Sequence, residues 1–103
     1  MSMLIIKDER ILKFLMKRGF VFLFSTRELK EGKGWVRASP TGKKIADVRI
    51  RLLTKIKPER IKLSSFLRCS GFNTLDEWID SLKKENKDLR EGYLYLVSRF
   101  LEK

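Results

Sequence analysis

The chain has 103 residues, with 24 Lys+Arg against 13 Asp+Glu and no His, for a formal net charge of +11 and a pI near 10.1. That length holds one domain, and a content of 43% hydrophobic and 11% aromatic residues with only two Pro excludes disorder of the whole chain. The longest uninterrupted apolar run, residues 20–24, is too short to cross a bilayer, and the apolar N-terminal stretch is cut by Lys7, Asp8, Glu9 and Arg10 before it reaches the length of a signal peptide, so a soluble, cytoplasmic protein is the expectation.

The first predicted element is a helix. Asp8 is placed to cap it, Ile11, Leu12, Leu15 and Met16 follow helical spacing, Lys17 and Arg18 complement the dipole in the last turn, and Gly19 stops it. From Phe20 to Ser25 the pattern becomes a continuous apolar, aromatic-rich run, which reads as a strand buried on both faces, with Phe20, Phe22 and Phe24 as core. Residues 30–34 (Lys-Glu-Gly-Lys-Gly) read as a flexible basic loop, and Trp35 to Ala38 as a second strand.

Ser39-Pro40-Thr41-Gly42-Lys43-Lys44 is a turn by composition. It leads into the clearest strand, with Ala46, Val48, Ile50 and Leu52 on one face and Asp47, Arg49 and Arg51 on the other. After Pro58 a short helix is predicted from about Ser64 to Arg68, ending at Gly71. A further helix opens at Thr74 with a Thr74-x-x-Glu77 capping box and an apolar face of Leu75, Trp78, Ile79 and Leu82. The last predicted strand runs from Tyr93 to Phe100. Strands that do not alternate regularly with helices point to an α+β fold, a mostly antiparallel sheet curled into a small barrel with helices across its ends.

Chemistry is narrowed by what is missing. With no His and one cysteine, Cys69, there is no intramolecular disulfide, no zinc site and no imidazole base, and no metal or other cofactor is expected. The thiol of Cys69 lacks an activating base and reads as inert. The chain has no Gln and only Asn73 and Asn86 for Asn, amid abundant Lys, Arg, Glu, Ile and Leu, a composition favoured in thermophilic proteins.

Charge is distributed unevenly. Residues 1–57 hold 15 Lys+Arg and 5 Asp+Glu, while residues 58–103 hold 9 and 8, so the two parts carry +10 and +1. Such a field attracts polyanions through counterion release, and RNA or another single-stranded nucleic acid is the expected partner. The basic residues do not lie on one face of a long amphipathic helix, and no lipidation signal is present, so a membrane partner is not expected.

Three segments stand out: the helix that ends at Gly19 and feeds a strand finishing with Arg27, the stretch Gly42-Lys-Lys-Ile-Ala-Asp-Val-Arg-Ile-Arg51, and Leu67-Arg-Cys-Ser-Gly-Phe-Asn-Thr-Leu-Asp-Glu-Trp78. Together they resemble the ASCH domain, a family of PUA-like barrels. The resemblance spans about Asp8 to Phe100 and implies an RNA-associated barrel with a basic cleft between barrel and helices. Some ASCH members cleave RNA or hydrolyse the acetyl amide of N4-acetylcytidine, so a hydrolase is the alternative reading. Val21 stands where the amidohydrolase pattern has a reactive Lys, and Ser70 stands where it has an acidic residue. Ser25 and Arg27 are then the candidate catalytic residues, with Thr26 as a second hydroxyl.

For nucleic-acid binding the candidates are Arg18, Arg27, Lys33, Arg37, Lys43 and Lys44, on segments expected to converge at one rim of the barrel, with Lys30 beside them and Trp35 near the centre as a stacking ring. Arg49 and Arg51 either extend that surface or pair with Asp47. Trp78 reads as packing, and Tyr93 and Tyr95 as contacts to a covering helix. Lys83, Lys84 and Lys87 are expected to lie outside the groove, offset by Glu85 and Asp88.

Overall fold

A computed structural model describes residues 2–86 and 88–100. It is a small α+β domain in which a mixed five-stranded sheet curls into a half-barrel accompanied by three helices. In chain order the elements are β1 (Ser2–Ile5), α1 (Glu9–Arg18), β2 (Phe20–Ser25), β3 (Gly32–Arg37), β4 (Ala46–Ile56), α2 (Arg60–Ser64), a 3-10 turn (Leu67–Cys69), α3 (Leu75–Glu85) and β5 (Gly92–Arg99). The spatial strand order is β1-β3-β4-β5-β2.

Local chemistry sets both ends of α1. Asp8 is extended and its carboxylate accepts from the Arg10 N–H at 2.9 Å, while Gly19, at φ 88°, donates its N–H to the Leu15 carbonyl at 2.8 Å. Ile11 and Leu15 face the core. At α3 the expected N-cap forms: Thr74 Oγ1 accepts from the Glu77 N–H at 3.2 Å and donates to Glu77 Oε1 at 3.4 Å. Trp78 and Leu82 are buried there, and the Trp78 ring stacks on Phe72 with centroids 6.4 Å apart.

Pairing is antiparallel for β2–β5, β3–β4 and β4–β5, whereas β1 lies parallel to β3. Strand β1 is not anticipated by the sequence. Four residues show too little alternation to reveal a strand whose partner lies some thirty positions on, and Leu4 becomes core only once Val36 lies beside it. The core side of the sheet carries Leu4, Val36, Val48, Ile50, Tyr95, Val97 and Val21, all buried.

Four other expectations change. Residues 30–34 are not all loop: Gly32, Lys33 and Gly34 open β3, because pairing opposite Ile50, Arg49 and Val48 supplies the ladder that their own weak strand preference does not. The second strand accordingly ends at Arg37 rather than Ala38. The helix expected from about Ser64 to Arg68 lies earlier. Glu59 occupies the N-cap position directly after Pro58, Leu63 is buried on the short helix that follows, and Phe66 turns away to meet Phe22 edge-on at 5.4 Å. Strand β4 continues four residues beyond Leu52 through a bulge, where the register against β5 shifts between Leu52 and Thr54. That shift leaves Leu53 41% exposed and lets Ile56 turn inward.

In β2 only Val21 and Phe24 are fully buried; Phe20 and Phe22 are half-buried, packed edge-on against Phe14 and Phe66. Tyr95 is buried, and it is the segment after β2, not a helix, that covers its hydroxyl: the Leu29 N–H donates to it at 2.6 Å and it donates to the Leu29 carbonyl at 3.3 Å. Burial pushes the Tyr95 phenol above its ordinary pKa of 10, more than the Leu29 hydrogen bond lowers it.

Candidate nucleic-acid interface

The β3–β4 register decides which charges share a surface. Lys33 lies opposite Arg49 and Trp35 opposite Asp47, so these side chains stand on the face of the sheet away from Val36, Val48 and Ile50. Alternation adds Arg37 and Arg51 to the same face, and β1 adds Met3 beside Trp35. Lys33, Arg49 and Arg51 are exposed, and Trp35, Arg37 and Asp47 are half-buried.

Aromatic rings interleave with these cations. The Arg37 guanidinium lies over the Trp35 ring at 4.3 Å from its centroid, and its Nη1 donates to the Pro40 carbonyl at 3.0 Å. Phe100 follows β5, its N–H donating to the Asp47 carbonyl at 2.9 Å, and its ring lies 5.3 Å from the Arg49 guanidinium and 5.9 Å from Lys33 Nζ. Each such contact at an exposed site is worth about 0.5–1 kcal/mol, enough to orient a side chain without neutralising it.

A carboxylate also sits on this face. Asp47 accepts from Lys44 Nζ, 3.2 Å from each of its oxygens. The pair is partly exposed and is worth about 0–1 kcal/mol. Asp47 therefore does not pair with Arg49 or Arg51, and among the described residues Lys33, Arg49 and Arg51 have no acidic partner. Trp35, Arg37, Lys44 and Asp47 together frame a shallow depression of about 320 Å³.

No family model, no curated protein and no solved structure matches this chain.

Of the expected binding residues, Lys33, Trp35, Arg37 and Lys44 are brought together, and Lys43 is exposed in the turn next to Lys44. Arg18 and Arg27 do not join them. Arg18 ends α1 at the β2 edge of the sheet and lies over Phe14 at 5.9 Å, whereas Arg27 follows β2 at its far end. The single rim expected from the sequence does not form, because β3 carries Lys33 and Arg37 along a sheet face while β2 lies three strands away. Lys83 and Lys84 belong to α3, off this face, and Lys87 lies outside the described residues.

The candidate catalytic pair Ser25 and Arg27 forms a turn. Ser25 Oγ accepts from the Arg27 N–H at 3.1 Å and donates to the Arg27 carbonyl at 2.8 Å. Thr26 Oγ1 donates to Asn86 Oδ1 at 3.1 Å. Sequence reasoning missed Phe100 as a site residue. Its signal was present in the alternation of the last strand, where Leu96, Ser98 and Phe100 fall on one side.

Proposed function

We propose that this chain binds RNA or another single strand of nucleic acid on the basic, aromatic-studded face of β3, β4 and the end of β5, and that it is an ASCH-like member of the PUA-like barrels. The observation that carries the reading is the row Lys33, Arg49 and Arg51, exposed and without acidic partners among the described residues, beside the rings of Trp35 and Phe100. Unneutralised cations at strand spacing track a phosphate backbone, and rings between them accept unstacked bases. The half-barrel with accompanying helices supports the reading at a coarse level, as an α+β domain built on a curved sheet, where the ASCH resemblance implies a barrel.

The hydrolase alternative requires the Ser25 hydroxyl to leave the turn in which it accepts from the Arg27 N–H and donates to the Arg27 carbonyl. Fluorescence anisotropy with a labelled single-stranded RNA octamer at two salt concentrations tests the binding reading. Tight binding at low salt that weakens steeply as salt rises is expected. Absence of binding at low salt, or affinity indifferent to salt, overturns it.

A further inference from the structure

The depression beside Trp35 differs chemically from the rest of the basic face. Elsewhere on that face Lys33, Arg49 and Arg51 have no acidic partner among the described residues, as a phosphate backbone requires. Here Lys44 and Asp47 place an ammonium next to a carboxylate, with Nζ 3.2 Å from both oxygens. A carboxylate repels phosphate, so the depression is poorly suited to backbone. Its lining offers a stacking platform instead: the Arg37 guanidinium, tethered to the Pro40 carbonyl, lies over the Trp35 ring, 4.3 Å from its centroid. Guanidinium planes and aromatic rings are both platforms on which unstacked bases lie. A volume of about 320 Å³ sits at the lower end of small-ligand sites.

We infer that this depression is a base-reading pocket selective for guanine within a single strand, an inference that rests on the binding function proposed above. The donor and acceptor pattern makes the choice. The Watson–Crick edge of guanine offers two adjacent donors, N1–H and the N2 amine, next to the O6 acceptor. The two oxygens of Asp47 accept from the donors, and Lys44 Nζ donates to O6. Lys44 Nζ now sits against both Asp47 oxygens, so the base takes its place there and the flexible Lys44 side chain swings aside to reach O6. Adenine and cytosine each offer one donor beside a bare ring nitrogen, and uracil offers one N–H between two carbonyls. All three set an acceptor lone pair against the carboxylate, a mismatch that costs affinity. Lys33, Arg49 and Arg51 then hold the flanking phosphates.

The test uses the full chain and labelled octauridylate in which one central base is replaced by guanine, inosine, adenine or cytosine, with anisotropy measured at one salt concentration. The guanine oligomer is expected to bind about tenfold more tightly than the adenine, cytosine and all-uracil ones. Inosine, which lacks the N2 amine, falls between. Asp47→Asn is expected to erase this preference, leave the salt dependence as it was, and slightly tighten binding of octauridylate, since it removes a negative charge. Equal affinity for all five oligomers, with binding intact, overturns the guanine pocket and leaves the binding function standing. A preference that survives in Asp47→Asn overturns the carboxylate as the reader. No binding of any oligomer overturns both. If Asp47→Asn does not fold, Asp47→Ser, which also removes the carboxylate, serves in its place, with loss of the guanine preference expected and its retention counting against the pocket.

Discussion

The Asp8 carboxylate joins two helices: one oxygen caps α1 through the Arg10 N–H at 2.9 Å, and the other accepts a 2.7 Å hydrogen bond from Ser81 Oγ on α3, 73 residues away. Ionisation leaves both oxygens acceptor-only and strengthens both contacts. Partial burial pushes its pKa up, but the hydrogen bonds from the Arg10 side chain, Ser81 and the Arg10 backbone outweigh that and bring it from 3.8 down to about 2.

Because the folded-state value lies below the unfolded one, the stability this group contributes is complete above the ordinary carboxylate value and is lost as pH falls through about 2. Asp8→Asn is therefore expected to lower stability at pH 7 by about 1–2 kcal/mol. In thermal unfolding followed by circular dichroism, the gap in Tm between wild type and variant should narrow as pH drops from 4 toward 2. A gap that stays constant over that range contradicts the assigned role.

Charge removal separates the sheet face from the rest of the basic surface. Lys33→Ala and Arg49→Ala should each weaken binding of single-stranded RNA whatever its sequence. Each should also flatten the slope of log K against log salt by about 0.7 for every phosphate that is no longer neutralised. The double variant Lys83→Ala/Lys84→Ala, on α3, should leave both affinity and slope close to wild type. Equal losses from the two sets would mean that net charge, and not this face, is what the nucleic acid meets.

The two tryptophans differ in environment, which gives an optical test. Trp78 is buried at 1% exposure, whereas Trp35 is half-buried under the Arg37 guanidinium. RNA binding should quench the emission of Trp35 alone, so the change should vanish in Trp35→Phe and persist in Trp78→Phe. Trp35→Ala should cost about 1–3 kcal/mol of binding per stacked base with the salt slope unchanged.

Gly92 opens β5 where the chain passes closest to the end of β2. A Cβ there would overlap the Ser25 carbonyl oxygen and approach Phe24 Cζ at 2.9 Å and Thr26 Cα at 3.0 Å. Two of those neighbours are backbone and cannot swing aside. Gly92→Ala should destabilise the domain by about 1–3 kcal/mol or more, read as a lower urea midpoint. An unchanged midpoint would show that the two strands separate there at little cost.

Much of the fold is legible where local chemistry acts alone. Asp8, Gly19, Thr74 and Glu77 mark helix ends because a cap is a contact among near neighbours, and β4 is readable from Ala46 to Leu52 because one of its faces meets the core and the other meets water. What escapes the sequence depends on distant partners. Gly32, Lys33 and Gly34 become strand only against β4, β1 becomes strand only against β3, and Leu53 is an extra residue only by comparison with β5. The site divides the same way. Lys33, Trp35, Arg37 and Lys44 stand out by residue type and proximity in the chain, whereas the approach of Phe100 to Lys33 and Arg49 arises from a register between strands 50 and more residues apart.

Strand β2 stands at one end of the sheet order, and among the described residues its hydrogen-bonded neighbour is β5. During synthesis Phe20–Ser25 leaves the ribosome long before Gly92–Arg99 exists. At about 5–20 residues per second, its edge, with Phe20, Val21, Phe22, Leu23 and Phe24, waits several seconds for a partner. Helix α1 and the β3–β4 hairpin can form in that interval, but closing the half-barrel awaits the last strand. The longest apolar run of the nascent chain, residues 20–24, is thus completed only with the last strand, and until then it is open to aggregation.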